Sequence, residues 1–571
     1  MSGKRRNRRS SGGLRLRPAP KGRTVDPAAL SEVRELLADA PRRRDLLIEH
    51  LHRIQDAYGH LSDRHLTALA YELRLTPAEV YEVATFYHHF DVVKDGEIPP
   101  PPVTVRVCES IACELAGADR LLAELRERLG SRLRVIGAPC VGRCEDAPVA
   151  IVGHNPVHQA TTAKVEETVV AGWLEPAAPA AIDYDAYRAS GGYELLAALH
   201  RGERSVDDVV ATVEASGLRG LGGAGFPSGR KWSVVRAEPG PRVVVLNTDE
   251  GEPGTFKDRH CLETDPHRVL EGLLIAARVV EADDVYLYVR DEYAAIREVL
   301  ARELAALEAD PPCPLPRLHL RRGAGAYICG EETALIESIE GKRGEPRLRP
   351  PYPAQRGVFG RPTLVHNVET MYWLREILER GAEWYASLGR RGRKGLRLFS
   401  VSGRVARPGV YAAPAGITLR ELIEEHAGGM LPGHTLYGYL PGGASGGILP
   451  ARLADVPLDF DTLAEYGCFI GSAAIVVLSD HDRAKDVALN LMRFFAHESC
   501  GKCTPCRVGT AQSVELMRGE EWDTGLLREL GTAMADASIC GLGQAAPNPV
   551  RCVTEFFPQE LTPHVESEVG R

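Results

Sequence analysis

Two groups of four cysteines constrain this chain more than any other feature of its sequence. Cys500, Cys503 and Cys506 form a C-x2-C-x2-C run, and Cys540 follows after 33 intervening residues. Three thiolates within seven residues can wrap one face of a cubane and a distant fourth can complete it, which is how [4Fe–4S] clusters are held. Zinc sites usually pair two separated hooks instead. The spacing therefore predicts a [4Fe–4S] cluster near the C-terminus.

The other group lies in the N-terminal third of the chain. It consists of Cys108 and Cys113, then Cys140 and Cys144, so that C-x4-C and C-x3-C lie 26 residues apart. Cys108 ends a predicted strand and Cys140 follows another, which would let two loops at one sheet edge close around a small metal centre. A [2Fe–2S] cluster takes four thiolates from such wide loops, whereas zinc fingers favour tighter hooks. The spacing favours [2Fe–2S] and leaves zinc or unligated cysteines as alternatives.

Charge is divided between a short basic arm and an acidic body. Residues 1–24 hold nine basic residues and no acidic one, and the rest of the chain carries a net charge of −18. An acidic body argues against a nucleic-acid-binding surface. The arginine pairs at 5–6 and 8–9 resemble a twin-arginine signal, but no apolar stretch follows them. We therefore predict a disordered arm, a cytoplasmic protein with reduced cysteines, and no membrane span.

Periodicity and punctuation divide the chain into six predicted segments. A proline run near residue 100 and an Ala/Pro-rich stretch at 175–181 mark two of the breaks. Strands alternating with helical patterns indicate layered α/β domains. The segments are a disordered basic arm at 1–25, a helical bundle at 26–98, a small α/β domain at 99–175, a larger α/β domain at 190–395, a β-rich domain at 396–476 and a helical domain at 477–571.

A glycine-rich loop at residues 220–225 formally satisfies the G-x-G-x-x-G pattern. A dinucleotide fingerprint needs a buried strand before this loop and a helix opening from it. Residues 206–215 are predicted to be helical, and 226–229 do not start a helix cleanly, so an ordinary Rossmann site is disfavoured. A loop whose backbone amides approach a phosphate or a flavin, with Lys231 close behind, fits the pattern better.

Two acidic segments, 247–254 and 323–333, follow predicted strands or loops. They are compatible with solvated turns or with a divalent-metal site. Alternatively, their carboxylates accept hydrogen bonds from ribose hydroxyls, and their glycines let flat rings lie close together. Spacing alone does not choose between these interpretations.

Several long motifs resemble a known family. The segments GLRGLGGAGFPSGRKW (217–232), NTDEGEPGTFKDR (247–259), HNVET (366–370) and ESCGKCTPCR (498–507), together with 323–353, closely resemble the NADH-binding flavoprotein subunit of respiratory complex I. ATFYHHF (84–90), VCESIACELAGA (107–118) and APCVGRCEDAP (138–148) look like that complex's small [2Fe–2S] subunit. The resemblance covers about residues 40–560.

This resemblance implies a multidomain α/β fold. The helical bundle would lead into a thioredoxin-like [2Fe–2S] domain, followed by a Rossmann-like FMN/NADH domain. A ubiquitin-like β-grasp (SLBB) domain and a C-terminal helical bundle with the [4Fe–4S] cluster would complete the chain.

The resemblance also implies roles for individual residues. The residues implied to hold FMN are Gly220, Gly222, Gly223, Lys231, Asn247, Asp249, Glu250, Gly330, Glu331, His366, Asn367 and Thr370. Phe226 would stack on the adenine of NAD(H), Glu252 and Glu332 would contact the nicotinamide end as the catalytic-site carboxylates, and Arg349 and Tyr352 would be further neighbours. Two positions depart from the family pattern: Val234 replaces a second stacking aromatic, and Arg349 replaces a lysine.

Fusion of both parts in one polypeptide resembles the diaphorase subunits of NAD-dependent formate dehydrogenases and NAD-reducing hydrogenases. RDLLIEHLHRIQDAYG (44–59) and Leu221 look most like the formate dehydrogenase beta subunit. The implied function is transfer of electrons from a large Mo/W-pterin alpha subunit, which carries further iron–sulfur clusters, through [4Fe–4S] to FMN and then as hydride to NAD+. The alternatives are a NiFe hydrogenase diaphorase, a complex I-type NADH dehydrogenase subunit, and a cluster-bearing scaffold with a degenerate flavin site.

Overall fold

The computed structural model of the chain describes residues 24–561, so the predictions for the basic arm fall almost entirely outside the described residues. Within that range, no helix is both long and apolar enough to cross a membrane. A helical, two mixed, a β-rich and a second helical segment follow one another along the described chain.

Four helices and one minimal sheet make up the N-terminal region. Thr76 and Glu79 form the predicted capping box, in which the Glu79 amide donates to Thr76 Oγ1 at 3.2 Å and the Thr76 amide donates back to the Glu79 carboxylate at 2.9 Å. These two bonds satisfy amides that a helix start leaves unpaired. The elements are α1 (Pro27–Leu37), α2 (Leu47–Tyr58), β1 (Leu61–Ser62), α3 (Asp63–Leu73), α4 (Pro77–Ala84) and β2 (Val92–Val93).

A small α/β region with its own hydrophobic core follows. Its four-stranded sheet has the order β4-β3-β5-β6, with β3 and β4 parallel and the other pairs antiparallel. Both cysteine-bearing loops leave the parallel pair at its carboxyl end. The elements are β3 (Thr104–Cys108), α5 (Ile111–Leu115), α6 (Ala118–Leu129), β4 (Arg134–Ala138), β5 (Ala150–Val152), β6 (Asn155–Val157) and α7 (Thr162–Ala171).

The larger α/β region is built on four parallel strands in the order β10-β7-β8-β9. Its strands are near-continuous apolar runs because helices cover both faces of a parallel sheet. The strands are β7 (Arg242–Thr248), β8 (Ala282–Val289), β9 (Arg317–Arg322) and β10 (Thr363–Asn367). The helices are α8 (Tyr184–Ala189), α9 (Glu194–Arg201), α10 (Val206–Ser216), α11 (Ser228–Ala237), α12 (Lys257–Thr264), α13 (Pro266–Val279), α14 (Ala294–Ala309), α15 (Glu332–Ile339), α16 (Pro353–Arg356), α17 (Val368–Tyr372), α18 (Leu374–Arg380) and α19 (Ala382–Ser387).

The glycine-rich loop lies between two helices, α10 and α11. The prediction that a helix precedes the loop is confirmed. The prediction that 226–229 do not start a helix is wrong, because α11 begins at Ser228 directly after Pro227. Proline has a fixed φ close to the helical value and therefore suits a helix start. No strand leads into the loop, so its context still differs from that of a dinucleotide fingerprint.

A five-stranded mixed sheet and a helical bundle complete the described chain. The sheet order is β12-β11-β15-β13-β14, with β11 and β15 parallel. The sheet elements are β11 (Leu396–Gly403), β12 (Gly409–Pro414), α20 (Leu419–Glu421), β13 (Leu436–Leu440), β14 (Leu449–Pro450) and β15 (Ala474–Ser479). The bundle comprises α21 (Ala484–Glu498), α22 (Thr504–Met517), α23 (Thr524–Ala537), α24 (Gly541–Ala545) and α25 (Asn548–Phe556).

Candidate functional site

The carboxyl ends of the parallel strands form the floor of the candidate site. Asn247 at the end of β7 is in register with Asn367 at the end of β10. Thr248 is in register with Val289 of β8, which Arg290 follows. Ligands of open parallel sheets bind outside this edge, so the structure brings together residues that the sequence places more than 100 positions apart.

The glycine-rich loop is fixed directly above that edge. The Leu221 amide donates to Thr370 Oγ1 at 2.9 Å. A Cβ added to Gly222 would lie only 3.0 Å from the Cβ of Asn367, and Gly223 has a φ of +123°. A side chain at position 222 would therefore press against Asn367 of the sheet, and one at position 223 would strain the backbone. The loop is shaped so that a flat ring or a phosphate can approach its backbone.

Asp249 supplies the clearest sign of a missing partner. Its Oδ2 is buried and accepts no hydrogen bond from any of the described residues. Burial, reinforced by Glu292 and Glu498, raises the pKa of this carboxyl well above its usual range, although Arg290 opposes the shift. Next to it, Asn247 Nδ2 donates to Gly330 O at 2.8 Å. An unsatisfied buried polar atom is costly, so this position fits a bound polyhydroxylated or ring-nitrogen ligand such as FMN.

Glu252 connects the floor of the site to the β-grasp region. The Tyr327 hydroxyl donates to its Oε2. The backbone amide and hydroxyl of Ser445 donate to its Oε1 at 2.8 and 2.6 Å. Burial raises the pKa of Glu252 above its usual value. The carboxylate is thus held in one orientation by residues from two different regions.

A second pair of carboxylates lies at the start of α15. Glu331 caps this helix by accepting from the amides of Thr333 and Ala334 at 2.9 and 3.0 Å. Glu332 accepts from Lys231 Nζ at 3.2 Å and lies 3.5 Å from the Arg349 guanidinium. Two cations therefore face one carboxylate, and they leave positive charge available for a phosphate-bearing ligand.

The predicted aromatic neighbours are exposed. Phe226 and Tyr352 are 46% and 53% accessible, and Val234 is 42% accessible. Helix α11, which carries Val234, packs against α16, which Tyr352 precedes. Exposed aromatic faces of this kind are available to stack on a planar ligand.

Several predicted ligand residues are already engaged within the protein. Glu250 accepts from the amides of Asp258 and Arg259 at 2.7 and 3.0 Å and from the Tyr293 hydroxyl at 2.9 Å. This carboxylate therefore caps α12 and is not free to bind a ligand.

His366 and Asn367, the last two residues of β10, are also hydrogen-bonded within the protein. His366 Nε2 accepts from Trp232 Nε1 at 2.8 Å, and burial together with Lys231 keeps the pKa of His366 well below its usual value. Asn367 Oδ1 accepts from the Glu369 amide at 3.0 Å, and its Nδ2 donates to Asp258 at 2.5 Å. Both side chains position the strand end and do not project freely.

Cys108, Cys113, Cys140 and Cys144 come together as predicted. All four are buried, and the Sγ atoms of Cys140 and Cys144 lie 3.5 Å apart. Cys108 lies within hydrogen-bonding reach of both Cys113 and Cys140. The four sulfurs thus form one connected, water-excluded group at the end of the β3–β4 pair.

The C-terminal cysteines also converge. Cys506 lies close to Cys500 and Cys503, and Cys540 lies close to Cys500. The amides of Leu542 and Gly543, in the first turn of α24, donate to the Cys540 sulfur. A Cβ on Gly543 would come within 2.8 Å of the Cβ of Cys506. Glycine at this position therefore lets α24 close over the cysteine loop.

Arg290 contacts both the predicted [2Fe–2S] cysteine loop and the predicted flavin site. It was not singled out from the sequence. Its Nη2 donates to Cys140 O at 2.7 Å, its Nη1 donates to Glu250 O, and Glu292 binds its guanidinium at 2.7 Å. Tyr327, which binds Glu252, was also missed: it lies inside a predicted motif, but nothing in the sequence distinguishes it from the other motif residues. Arg290 could have been found from its position, because it is a charged residue immediately after a buried parallel strand, where ligand sites lie.

Family models match four stretches of the chain. They are the Nuo51 FMN-binding domain at 213–376, the thioredoxin-like [2Fe-2S] ferredoxin at 33–171, the NADH-ubiquinone oxidoreductase-F iron-sulfur binding region at 486–564 and the SLBB domain at 398–449. These matches confirm the predicted multidomain α/β fold class. They also confirm FMN, NAD(H), [2Fe–2S] and [4Fe–4S] as the cofactors.

Individual relatives agree with the family models. The F 2 subunit of the NADH-quinone oxidoreductase of Rhizobium meliloti is 44% identical over 398 residues, which cover 66% of this chain and 94% of the relative. The mitochondrial 51 kDa subunit of Neurospora crassa NADH-ubiquinone oxidoreductase is 42% identical over 379 residues, 62% of this chain and 76% of that relative.

A solved structure covers more of the chain. The structure of NAD+-reducing [NiFe]-hydrogenase in the H2-reduced state matches with a TM-score of 0.79 and 33% identity over 92% of this chain and 94% of that one. The chain therefore belongs to the family of NADH-quinone oxidoreductase F subunits, and it is an NAD(H)-dependent oxidoreductase subunit that carries flavin and iron–sulfur domains.

Proposed function

We propose that this chain is the NAD(H)-binding diaphorase subunit of a larger oxidoreductase and exchanges electrons between NAD(H) and a partner subunit. The observation that carries the proposal is the buried Asp249 Oδ2, which has no hydrogen-bond partner among the described residues and lies directly after β7 at the candidate site's strand edge. Cys540 lies close enough to interact electrostatically with Glu331 and Tyr327 of the same crevice. Thus the candidate flavin site and one candidate cluster site adjoin.

When bound, FMN supplies hydride exchange with NAD(H) and single-electron exchange with iron–sulfur clusters. The residues of this chain bind and orient. Gly222 and Gly223 would admit the flavin to the sheet edge, with Gly220 shaping the turn, and Asn247, Asp249 and the Glu250 backbone would hold its ring side. Gly330, Glu331, His366, Asn367, Thr370 and Lys231 would complete the proposed pocket.

The nicotinamide would be positioned by two carboxylates, Glu252 and Glu332, whose orientations are fixed by contacts within the protein. Glu252 is fixed by Tyr327 and Ser445, and Glu332 is fixed by Lys231 and Arg349. We assign both carboxylates to orienting the ring, since hydride transfer needs no protein acid or base. Phe226 and Tyr352 would contact the adenine and adjacent groups from the exposed side.

The proposed clusters would connect this site to the partner. Cys108, Cys113, Cys140 and Cys144 are the proposed [2Fe–2S] ligands, and Cys500, Cys503, Cys506 and Cys540 are the proposed [4Fe–4S] ligands. The [4Fe–4S] group, which adjoins the flavin crevice, is the proposed direct route. The [2Fe–2S] group would adjust or store charge beside it.

The partner that supplies the electrons is a more specific part of the proposal. The sequence favoured a formate-oxidising Mo/W partner, but the similarities give better support to a NiFe hydrogenase or a complex I-type enzyme. The hydrogenase chain matches 92% of this chain, and the named F-subunit relatives cover 66% or less. The solved structure that covers both cysteine groups in one polypeptide is a hydrogenase, and this similarity supports a hydrogen-oxidising NiFe partner as the electron source.

The first prediction tests the proposed function directly. The isolated, flavin-replete chain should oxidise NADH with ferricyanide and show flavin absorption. Removal of residues 1–24 should leave this activity unchanged, because no recognised motif lies there. Flavin-replete protein without the activity would support the scaffold alternative instead.

The electron source is tested in the same preparation with its native partner. Hydrogen should drive NAD+ reduction, and nickel should co-purify with the complex. Formate-driven reduction with molybdenum or tungsten in the complex would reverse the ranking of the two partners.

A second prediction concerns adenine stacking. Phe226→Ala should raise the KM for NADH by about 2- to 12-fold with little change in kcat, because one aromatic contact of about 0.5–1.5 kcal/mol is lost. Val234→Phe should lower the KM by adding a second stacking face. Steady-state kinetics decide the matter, and a fall in kcat alone in the first variant would contradict the assignment.

A third prediction concerns the cluster ligands. Cys540→Ser should remove the electron paramagnetic resonance signal and iron of the [4Fe–4S] cluster. Cys313→Ser is the matched control, since Cys313 lies outside both cysteine groups, and it should retain full iron. Equal iron contents in the two variants would exclude Cys540 as a ligand.

A fourth prediction concerns Arg290. Arg290→Gln should shift the midpoint potential of the [2Fe–2S] cluster to more negative values, because the reduced cluster loses a nearby positive charge. A unit charge within about 10 Å is worth roughly 2 kcal/mol at an effective dielectric constant of about 20, which is tens of millivolts for a one-electron couple. Arg290→Lys keeps the charge and should stay near the wild-type potential in a redox titration. Equal shifts in both variants would assign the effect to hydrogen bonding.

A further inference from the structure

Three side chains outside the proposed flavin and cluster ligand sets converge beside a small cavity. They are His88, which follows the N-terminal helices, and His497 and Glu498 at the end of α21. One ligand atom from each of the three lies within 4.8 Å of the others. The cavity that they line has a volume of about 130 Å³ and is also lined by Asp249 and Tyr327.

A single loop of the flavin region holds this group in place. The His88 amide donates to Gly325 O at 3.2 Å. Two residues along, the Tyr327 amide donates to Glu498 Oε2 at 2.9 Å. The arrangement therefore does not depend on chance proximity of surface side chains, because His88 and Glu498 are tied to the same short segment.

The two imidazole rings have donor atoms to offer. Neither ring nitrogen of His88 or His497 makes a hydrogen bond to the residues between 24 and 561, and the ring centroids lie 4.2 Å apart. A neutral imidazole keeps one ring-nitrogen lone pair, and here no hydrogen bond with the described residues occupies it. The remaining Glu498 oxygen lies 3.9 Å from His497 Nε2.

We propose that His88, His497 and Glu498 form a binding site for a divalent transition metal ion of the zinc type. Two imidazoles and one carboxylate are a ligand set that zinc uses when water occupies the fourth position. Harder cations such as magnesium prefer oxygen ligands. Zinc ligands lie about 3.3 Å apart, a spacing that rotation of the two accessible imidazoles can reach. The site does not depend on the identity of the electron source, but it adjoins both cysteine groups, because Cys140 lines the same cavity and Glu498 is two residues before Cys500.

A bound ion would connect distant parts of the chain. It would join the N-terminal helices to the helix that leads into the C-terminal cysteine loop. Through Glu498 it would also be linked to Tyr327, whose hydroxyl holds Glu252. The site thus lies one residue away from the proposed nicotinamide position.

A second histidine–carboxylate group provides the matched control. His434, Asp480 and His481 are also close enough to share an ion. In that group, however, His434 Nδ1 is hydrogen-bonded to Ser479 Oγ at 2.8 Å, and Asp480 Oδ1 accepts from the Thr435 amide at 2.9 Å. One donor atom of His434 and one of Asp480 are thus occupied by local contacts, so we expect weaker binding at this group.

The test is calorimetric titration of Zn2+ into holoenzyme whose iron content shows that both clusters are intact. Wild-type protein should bind one ion saturably, His88→Ala should weaken that binding at least about tenfold, and His481→Ala should leave it unchanged. Anomalous diffraction at the zinc edge from wild-type crystals should place the ion between His88, His497 and Glu498, independently of how any variant folds. No saturable binding, an unchanged affinity in His88→Ala, or an anomalous peak elsewhere would overturn the proposal.

Discussion

The site depends on one buried positive charge, the ammonium group of Lys257. This side chain is fully buried and lies 2.9 Å from both Asp258 and Glu369. Burial disfavours the charge, but these carboxylates together with Glu250 raise the pKa of Lys257 above its ordinary value. A buried charge costs several kcal/mol unless it is paired and hydrogen-bonded. Here the pairing is complete, so the charge fixes the elements that carry its partners.

Those partners extend the constraint outwards. Asp258 accepts from Asn367 at the end of β10, and Glu369 accepts from the Leu398 amide of β11 at 2.7 Å. These contacts therefore fix the position of the β-grasp region relative to the strand edge on which the glycine-rich loop lies. Because Asn367 sits under Gly222, the same ion group sets the height of the loop above the sheet. The crevice is thus shaped by interactions within the protein beneath it.

Sequence reasoning succeeded where the information is local. Cysteine spacing, the Thr76 capping box and the strand and helix periodicities all depend on residues that are close in sequence, and the corresponding elements form. It failed where the partner is distant. The engagement of Glu250 by Tyr293, the fixing of Glu252 by Ser445 and the contact of Arg290 with Cys140 join residues 43, 193 and 150 positions apart. Sequence periodicity carries no information about such contacts. The start of α11 was missed for a different reason: the glycine- and proline-rich segment before it has the composition of a loop, although a helix begins directly after it.

The difference between buried and exposed residues explains why the sequence predicted an electron source that the similarities do not support. That prediction depended on residues 44–59 and on Leu221. In α2 the characteristic apolar residues Leu47, Ile48, Leu51 and Ile54 are buried in the core, and Leu221 is only 4% exposed. At position 221 the backbone amide fixes the loop through Thr370, whatever side chain is present. Buried packing positions report how the chain folds, whereas a partner is recognised by the exposed surface around the clusters, so these residues carry little information about formate or hydrogen.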